Sequence, residues 1–155
     1  MPNQRARRPA RGFTLIEIMA VVLIIGLLSS IVGFAVFQQV DKGRVTAAQT
    51  QIASLENVLE LYRMDNARFP TTEQGLLALV EPSATSPEPR NFPEGGYLKG
   101  GRVPLDPWGN PYQYESPGQH NRQSFDLWSW GADGSVGGEG VEADLGNWSP
   151  DDEPV

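Results

Sequence analysis

The 155-residue chain has no cysteine and a single histidine, His120. No disulfide can staple the fold, and neither a thiolate metal centre nor a cysteine nucleophile is available. The chain also lacks a Gly-x-Ser-x-Gly turn, a phosphate-binding loop and any histidine-based metal motif. His120 reads as a surface-loop residue in a turn-rich stretch, and no pair of acids has a spacing that predicts acid–base work. Together these absences exclude an enzyme. Acid is missing from residues 1–12, which hold Arg5, Arg7, Arg8 and Arg11. Beyond them, 8 basic residues stand against 19 acidic ones, within an overall net charge of −7. Such a body repels phosphate, which excludes nucleic acid as a partner. It is compatible with a hard cation such as calcium. No internal repeat is found.

Between Phe13 and Phe37 charge is nearly absent, and Glu17 is the one exception. Those twenty-five residues, as a helix rising ~1.5 Å per residue, extend about 37 Å, enough for a hydrocarbon core of ~30 Å. Arginines before an apolar run predict a cytoplasmic N-terminus and export of the chain beyond the run. A buried core helix, a secretory signal cut near Gly33-Phe34-Ala35 and a plain membrane anchor are the competing readings. The length, the arginine flank and Glu17 weigh against the first two. A charge in the bilayer core costs ~2.5–3.5 kcal/mol and persists when it has a partner. Cleavage of the Gly12–Phe13 bond would create one, a free amine on Phe13 four residues before Glu17. In a helical assembly that amine can meet the Glu17 of a neighbouring subunit and set axial register. Glycine before the cut lets a protease backbone approach closely.

Arg11-Gly12-Phe13-Thr14-Leu15-Ile16-Glu17 resembles the leader of the type IV prepilin class. The resemblance implies that an inner-membrane prepilin peptidase cuts after Gly12 and N-methylates Phe13. Many relatives have a helix-kinking proline in the first half of the mature helix. This chain reads Ser30-Ile31-Val32-Gly33-Phe34 there, so a proline kink is not expected, and Gly33 is the available source of flexibility.

After Phe37 the chain turns polar, and Ala48, Ile52, Leu55, Leu59 and Tyr62 recur on one helical face. The spacing predicts one helix from Phe13 to about Asp65, with Gly43 loosening the junction between its halves. Thr71 or Thr72 is expected to cap a short helix over Glu73–Val80. Four prolines between Glu81 and Pro93 predict a loop. Pro111–Ser116 and Ser124–Trp130 alternate as half-buried strands, and Pro117–Arg122 is expected to join them as an antiparallel pair.

Phe69-Pro-Thr-Thr-Glu-Gln-Gly75, Gly96-Tyr-Leu-Lys99, Asp106-Pro-Trp-Gly-Asn-Pro-Tyr112 and Gly131-Ala-Asp-Gly134 are together similar to the major pseudopilins of the type II secretion system. The likeness runs from Arg11 to Trp148. It implies an α+β, type IV pilin-like fold. A long N-terminal helix, half transmembrane and half amphipathic, would pack on a small antiparallel sheet with a calcium-binding C-terminal loop. Residues 1–12 would be the leader, 13–37 the membrane or filament-core helix, 38–148 the periplasmic domain and 149–155 a mobile acidic tail. The implied function is structural. The subunit waits in the bacterial inner membrane with its domain in the periplasm, then polymerises with itself into a pseudopilus that drives folded proteins outward. The implied partners are the prepilin peptidase, minor pseudopilins, an inner-membrane assembly platform and a secretion ATPase. Pilin relatives often close their C-terminal region with a disulfide, which this chain cannot form.

The segment from Gly131 to Trp148 is rich in glycine and carries Asp133, Glu139, Glu142 and Asp144. By composition alone it is either a solvated acidic loop or a calcium loop, because glycines let carbonyls turn toward a cation. The resemblance implies one structural calcium held by Asp133 and Asp144, with the Trp130 carbonyl as a third ligand. Ser135 and Val136 are candidates for the remaining oxygens, and Trp148 would pin the loop end. Two alternatives stay open here. One is a type IV or competence-type pilin. The other is a binding module using Trp108, Trp128, Trp130 and Trp148 as a carbohydrate platform, against core anchoring by the same residues.

Overall fold

The structure, a computed structural model, describes residues 12–149, without the side chains of residues 31–35, 37 and 38. The leader residues 1–11, and all of the expected acidic tail beyond Ser149, lie outside the described residues. The chain divides into two compact units, 1–39 and 40–155. One helix, α1 (Leu15–Asn66), contributes to both. Its sequence contains no proline, and it includes Gly33 and Gly43 without a break.

In the first unit, Phe13 and every large apolar side chain from Leu15 to Leu28 is exposed. A helix that is apolar all round is stable only when lipid or other helices cover it. The stretch expected to cross a membrane, 13–37, includes side chains outside the description. Among the described residues no helix is long and apolar enough to cross a membrane.

In the second unit the helical stripe is the core. Ala48, Ile52, Leu55, Leu59 and Tyr62 are all buried. Ile52, Leu55, Leu59 and Tyr62 pack with Leu76, Leu79, Tyr112, Phe125 and Leu127. The sheet is small: β1 (Gln113–Glu115), β2 (Asp126–Ser129) and β3 (Leu145–Gly146), all antiparallel with β2 central. Tyr114 pairs with Leu127 across β1 and β2, as the alternation predicts. The third strand falls inside what reads in the sequence as a loop, and two residues are too few to produce a periodic pattern. Strands this short do not hold a sheet together by themselves. Tyr112 helps by donating its hydroxyl to Gln51 Oε1 on α1 at 2.6 Å.

The short helix expected over Glu73–Val80 is instead a 3-10 turn at Leu76–Leu79. Gly75 sits at φ +57°, a left-handed conformation that stops an α-helix from running through it. Thr71 does cap, one turn earlier. Its Oγ1 accepts from the Gln74 N–H, and the Gln74 Oε1 accepts from the Thr71 N–H. Gly96 is required by crowding, because a Cβ there would lie 2.6 Å from the Val80 carbonyl oxygen. Its absence lets the Tyr97 N–H reach the Leu79 carbonyl at 2.8 Å.

The C-terminus of α1 is held by side chains. Buried Asn66 donates to the Tyr62 carbonyl and to the Tyr97 hydroxyl, and its Oδ1 accepts from the Asn91 N–H. Ala67 follows at φ +61°, where helices usually place glycine, and its N–H reaches the Arg63 carbonyl at 2.7 Å. Its methyl group is exposed, so the left-handed backbone is strain without compensating packing. Ala67→Gly is therefore expected to stabilise the domain by about 1 kcal/mol. Urea denaturation measures this, and a loss of stability would show that the alanine is favoured by unfolded-state entropy instead.

Candidate functional site

Gly12, Phe13 and Thr14 precede α1 outside any regular element, and Phe13 is 79% exposed. A Cβ built on Gly12 meets nothing within 4 Å among the described residues. Nothing in the described fold therefore requires glycine at that position. Glu17 has a partner in its own chain. Its backbone N–H donates to Thr14 Oγ1 at 3.3 Å, and its Oε2 accepts from the Thr14 N–H at 3.4 Å. This is a capping box, Thr-x-x-Glu, with the carboxylate in the first turn where the helix dipole favours it. The signal was present in the spacing of Thr14 and Glu17.

The C-terminal loop leaves β2 at Trp130 and doubles back at Gly131, where φ is +67° and a Cβ would lie 2.8 Å from the Ala143 carbonyl oxygen. The Ala132 N–H then bonds to the Val141 carbonyl at 2.9 Å. Exposed Asp133 turns the chain by accepting the Ser135 N–H at 3.0 Å. Asp144 Oδ2 accepts the Gly137 N–H at 2.9 Å, which ties the two arms of the loop together. Asp144 Oδ1 is buried and has no hydrogen-bond partner. Ser135 and Val136 form the exposed tip, with Val136 at 79%. Among the described residues no three acids or histidines form a metal-holding group. Asp144, with its buried free oxygen, suits a hard cation, which takes carboxylate, carbonyl and water oxygens together. A carboxylate oxygen buried without a donor is costly, and a cation would relieve that cost.

Two further carboxylates, Asp106 and Asp126, are buried and were missed in the sequence. Asp106 Oδ1 accepts the N–H groups of Trp108 and Asn110, and Oδ2 accepts the Ser129 hydroxyl at 2.6 Å. Ser129 Oγ in turn accepts the Gly131 N–H at the mouth of the loop. Asp126 accepts the N–H groups of Gln119, His120 and Asn121 and the Asn121 side-chain amide. His120 Nδ1 lies 3.0 Å from Asp126 Oδ2. The reading of His120 as a surface-loop residue is corrected. Its side chain is 22% exposed, and its ring stacks on Trp148 at 4.0 Å and 4°. Trp148 also meets the Trp128 ring edge-on at 5.9 Å, so it pins the loop end as expected. The tryptophans offer no flat platform for a sugar, because Trp128 and Trp130 cross at 81° and Trp148 is covered by His120. The available signal was Asp106-Pro-Trp-Gly-Asn110, an acid set to receive the N–H groups of its own turn.

Residues 35–148 match the family model for the type II secretion system, protein G, and residues 7–33 match the prokaryotic N-terminal methylation motif. The chain is 50% identical to the type II secretion system core protein G of Vibrio cholerae, over 94% of this chain and 96% of that one. It is 48% identical to the core protein G of Pseudomonas aeruginosa, over 92% and 97%. The crystal structure of the major pseudopilin from the type 2 secretion system of enterohaemorrhagic Escherichia coli superposes with a TM-score of 0.61 at 44% identity. That match covers 71% of this chain and 90% of the other.

Burial alone pushes the Asp126 carboxyl up. The N–H groups of His120 and Asn121, the His120 ring and the Gln119 N–H outweigh it and hold the group below its ordinary 3.8. A carboxyl depressed in the folded state adds stability above its unfolded value, and that stability is lost as pH falls through the folded value. Wild-type stability is expected to drop as the medium is acidified below pH ~4. Asp126→Asn is expected to be less stable by about 2 kcal/mol at pH 7 and to show a flatter acid limb. Denaturation series at several pH values decide this, and parallel pH profiles would remove Asp126 as the acid-sensitive group.

Proposed function

The chain belongs to the type II secretion system protein G family, the major pseudopilins, and we propose that it works as a processed, membrane-anchored subunit of a periplasmic filament. The observation that carries this reading is the start of α1, whose large apolar side chains from Leu15 to Leu28 are all exposed, just after Gly12-Phe13. In the inner membrane, lipid covers that surface. In the filament, the helices of neighbouring copies replace the lipid. The prepilin peptidase cuts between Gly12 and Phe13 and methylates the new amine. An assembly platform and ATPase then draw subunits into the filament behind minor pseudopilins, and the filament moves folded cargo outward. A type IV or competence-type pilin gives way to the family match.

Glu17 has two roles in this reading. The capping box starts the helix, and the second role is to pair with the Phe13 amine of a neighbour. Glutamine also serves in a capping box, so Glu17→Gln separates cap from charge. Intact mass and N-terminal sequencing of the protein from its native membrane are expected to give a start at N-methylated Phe13, for wild type and for Glu17→Gln. The Gln variant is expected to assemble and secrete poorly. A start after Ala35 would defeat the processing scheme, and normal assembly by Glu17→Gln would remove the ion pair.

Calcium is the ligand proposed for the C-terminal loop. Asp133, Asp144 and the Trp130 carbonyl would hold it, with further oxygens from the loop backbone or water. The buried, unpartnered Asp144 Oδ1 supports this assignment. The ion would supply fixed positive charge amid Asp133, Glu139, Glu142 and Asp144, and would order a glycine-rich segment whose freedom costs ~1–2 kcal/mol per residue to remove. Free calcium at a hundred times its dissociation constant adds about 2.7 kcal/mol, or roughly 10 °C in melting temperature for a domain of this size. Chelation is expected to lower wild-type melting by that order, and Asp144→Ala is expected to melt low regardless of chelator. Equal wild-type melting with and without chelator would exclude the site.

A further inference from the structure

The second unit is strongly acidic, and several of its cations are engaged or lie on the bare part of α1. Arg63 pairs with Glu60 at 2.7 Å, and Arg68 donates to the carbonyls of Pro87 and Glu88. Lys99 and Arg102 are unengaged, as Arg90 and Arg122 also are among the described residues, and they line a groove. Both are exposed, and among the described residues neither makes an ion pair or hydrogen bond. They flank one groove, whose walls are Ser54 and Val58 of α1 with Leu98 and Val103 of the loop. An apolar groove edged by two unpaired cations fits an acidic segment with apolar ends. The sequence contains one outside the described residues, Pro150-Asp151-Asp152-Glu153-Pro154-Val155.

We propose that the groove of one copy receives segment 150–155 of the next copy, an inference that rests on the filament reading above. The geometry of α1 favours a neighbour over the same chain. Asn147 and Trp148, which precede the segment, lie on the flank of α1 that carries Gln49 and Glu56. Trp148 lines a cavity with Gln49, and Asn147 donates to Glu56 Oε1 at 3.2 Å. Val58, in the groove, is about 180° around the helix from Gln49 at ~100° per residue. The buried stripe of Ala48, Ile52, Leu55 and Leu59 lies between the two flanks. Six extended residues reach at most ~20 Å. Half the circumference of a helix 10–12 Å across takes up about 16–19 Å of that, which leaves no length to lie in the groove. The residues from which the segment starts, Asn147 and Trp148, and the receiving groove are thus on opposite flanks of one copy. Such a contact is heterologous, and it repeats along an open helical polymer without closing. Proline restricts φ, so the two prolines lower the entropy that such a segment loses on docking.

The absence of native cysteine makes crosslinking a clean test. Arg102→Cys and Asp152→Cys are introduced together in the full chain, in cells that assemble the filament, and oxidised. The expected product is a ladder of covalent multimers, because each copy gives one segment and receives one. Each single variant is expected to stop at a dimer. Lys99→Glu with Arg102→Glu is expected to cut assembly about tenfold, and Asp151→Lys with Asp152→Lys in the same chain to restore it. Filaments without a ladder would overturn the docking and leave the filament reading intact. An intrachain disulfide in the monomer would show that each segment folds onto its own copy and overturn the proposal. A ladder from Arg102→Cys with Glu139→Cys, and none with Asp152→Cys, would assign the groove to the acidic loop instead. Wild type that forms no filament would remove both readings.

Discussion

A buried carboxylate receiving several N–H groups is the interaction on which the second unit depends. Strands of two to four residues cannot fix the loops around them. Asp126 gathers the turn at 119–121, and its neighbour His120 presses on Trp148. One residue before Trp148, Asn147 accepts the Leu127 N–H and donates to the Phe125 carbonyl and to Glu56 on α1. Asp106 does the same for the 106–110 turn and, through Ser129, for the start of the C-terminal loop. In a chain without cysteine, these charge-assisted bonds hold the C-terminal region where a disulfide would otherwise do so. Each one becomes stronger for being out of water, and each leaves an expensive orphan if one partner is lost.

The two units solve opposite problems. The first exposes apolar surface along its described length and needs cover, which lipid or copies of itself would supply. The second hides its apolar stripe against a small sheet and presents acid to water. Acidic subunits repel one another when packed closely, so a polymer of them needs places where the repulsion is offset. The proposed cation in the loop and the proposed docking of an acidic segment in a basic groove would be two such places, one within a copy and one between copies.

Long-period features were legible in the sequence. The stripe from Ala48 to Tyr62 is buried as the 3.6-residue period requires, and β1 and β2 follow the alternation around Tyr114 and Leu127. The processing signature at Gly12–Phe13 and the acidic glycine loop were equally visible. The 3-10 turn at Leu76–Leu79 was not, because a single left-handed glycine at Gly75 overrides a good helical composition. Asp126 also escaped, since strand alternation assigns it to the exposed face and only the turn folded over it makes it buried.

The sequence by itself determined that this chain has an apolar helix needing cover, an amphipathic continuation and no covalent staple. Periodicity and composition are local properties, and burial follows from them directly. Tertiary structure alone decided that His120 clamps a tryptophan and that Asp106 and Asp126 are buried. Those outcomes depend on which distant groups meet, and a hydrogen bond or stacked ring leaves no period in the chain to announce it.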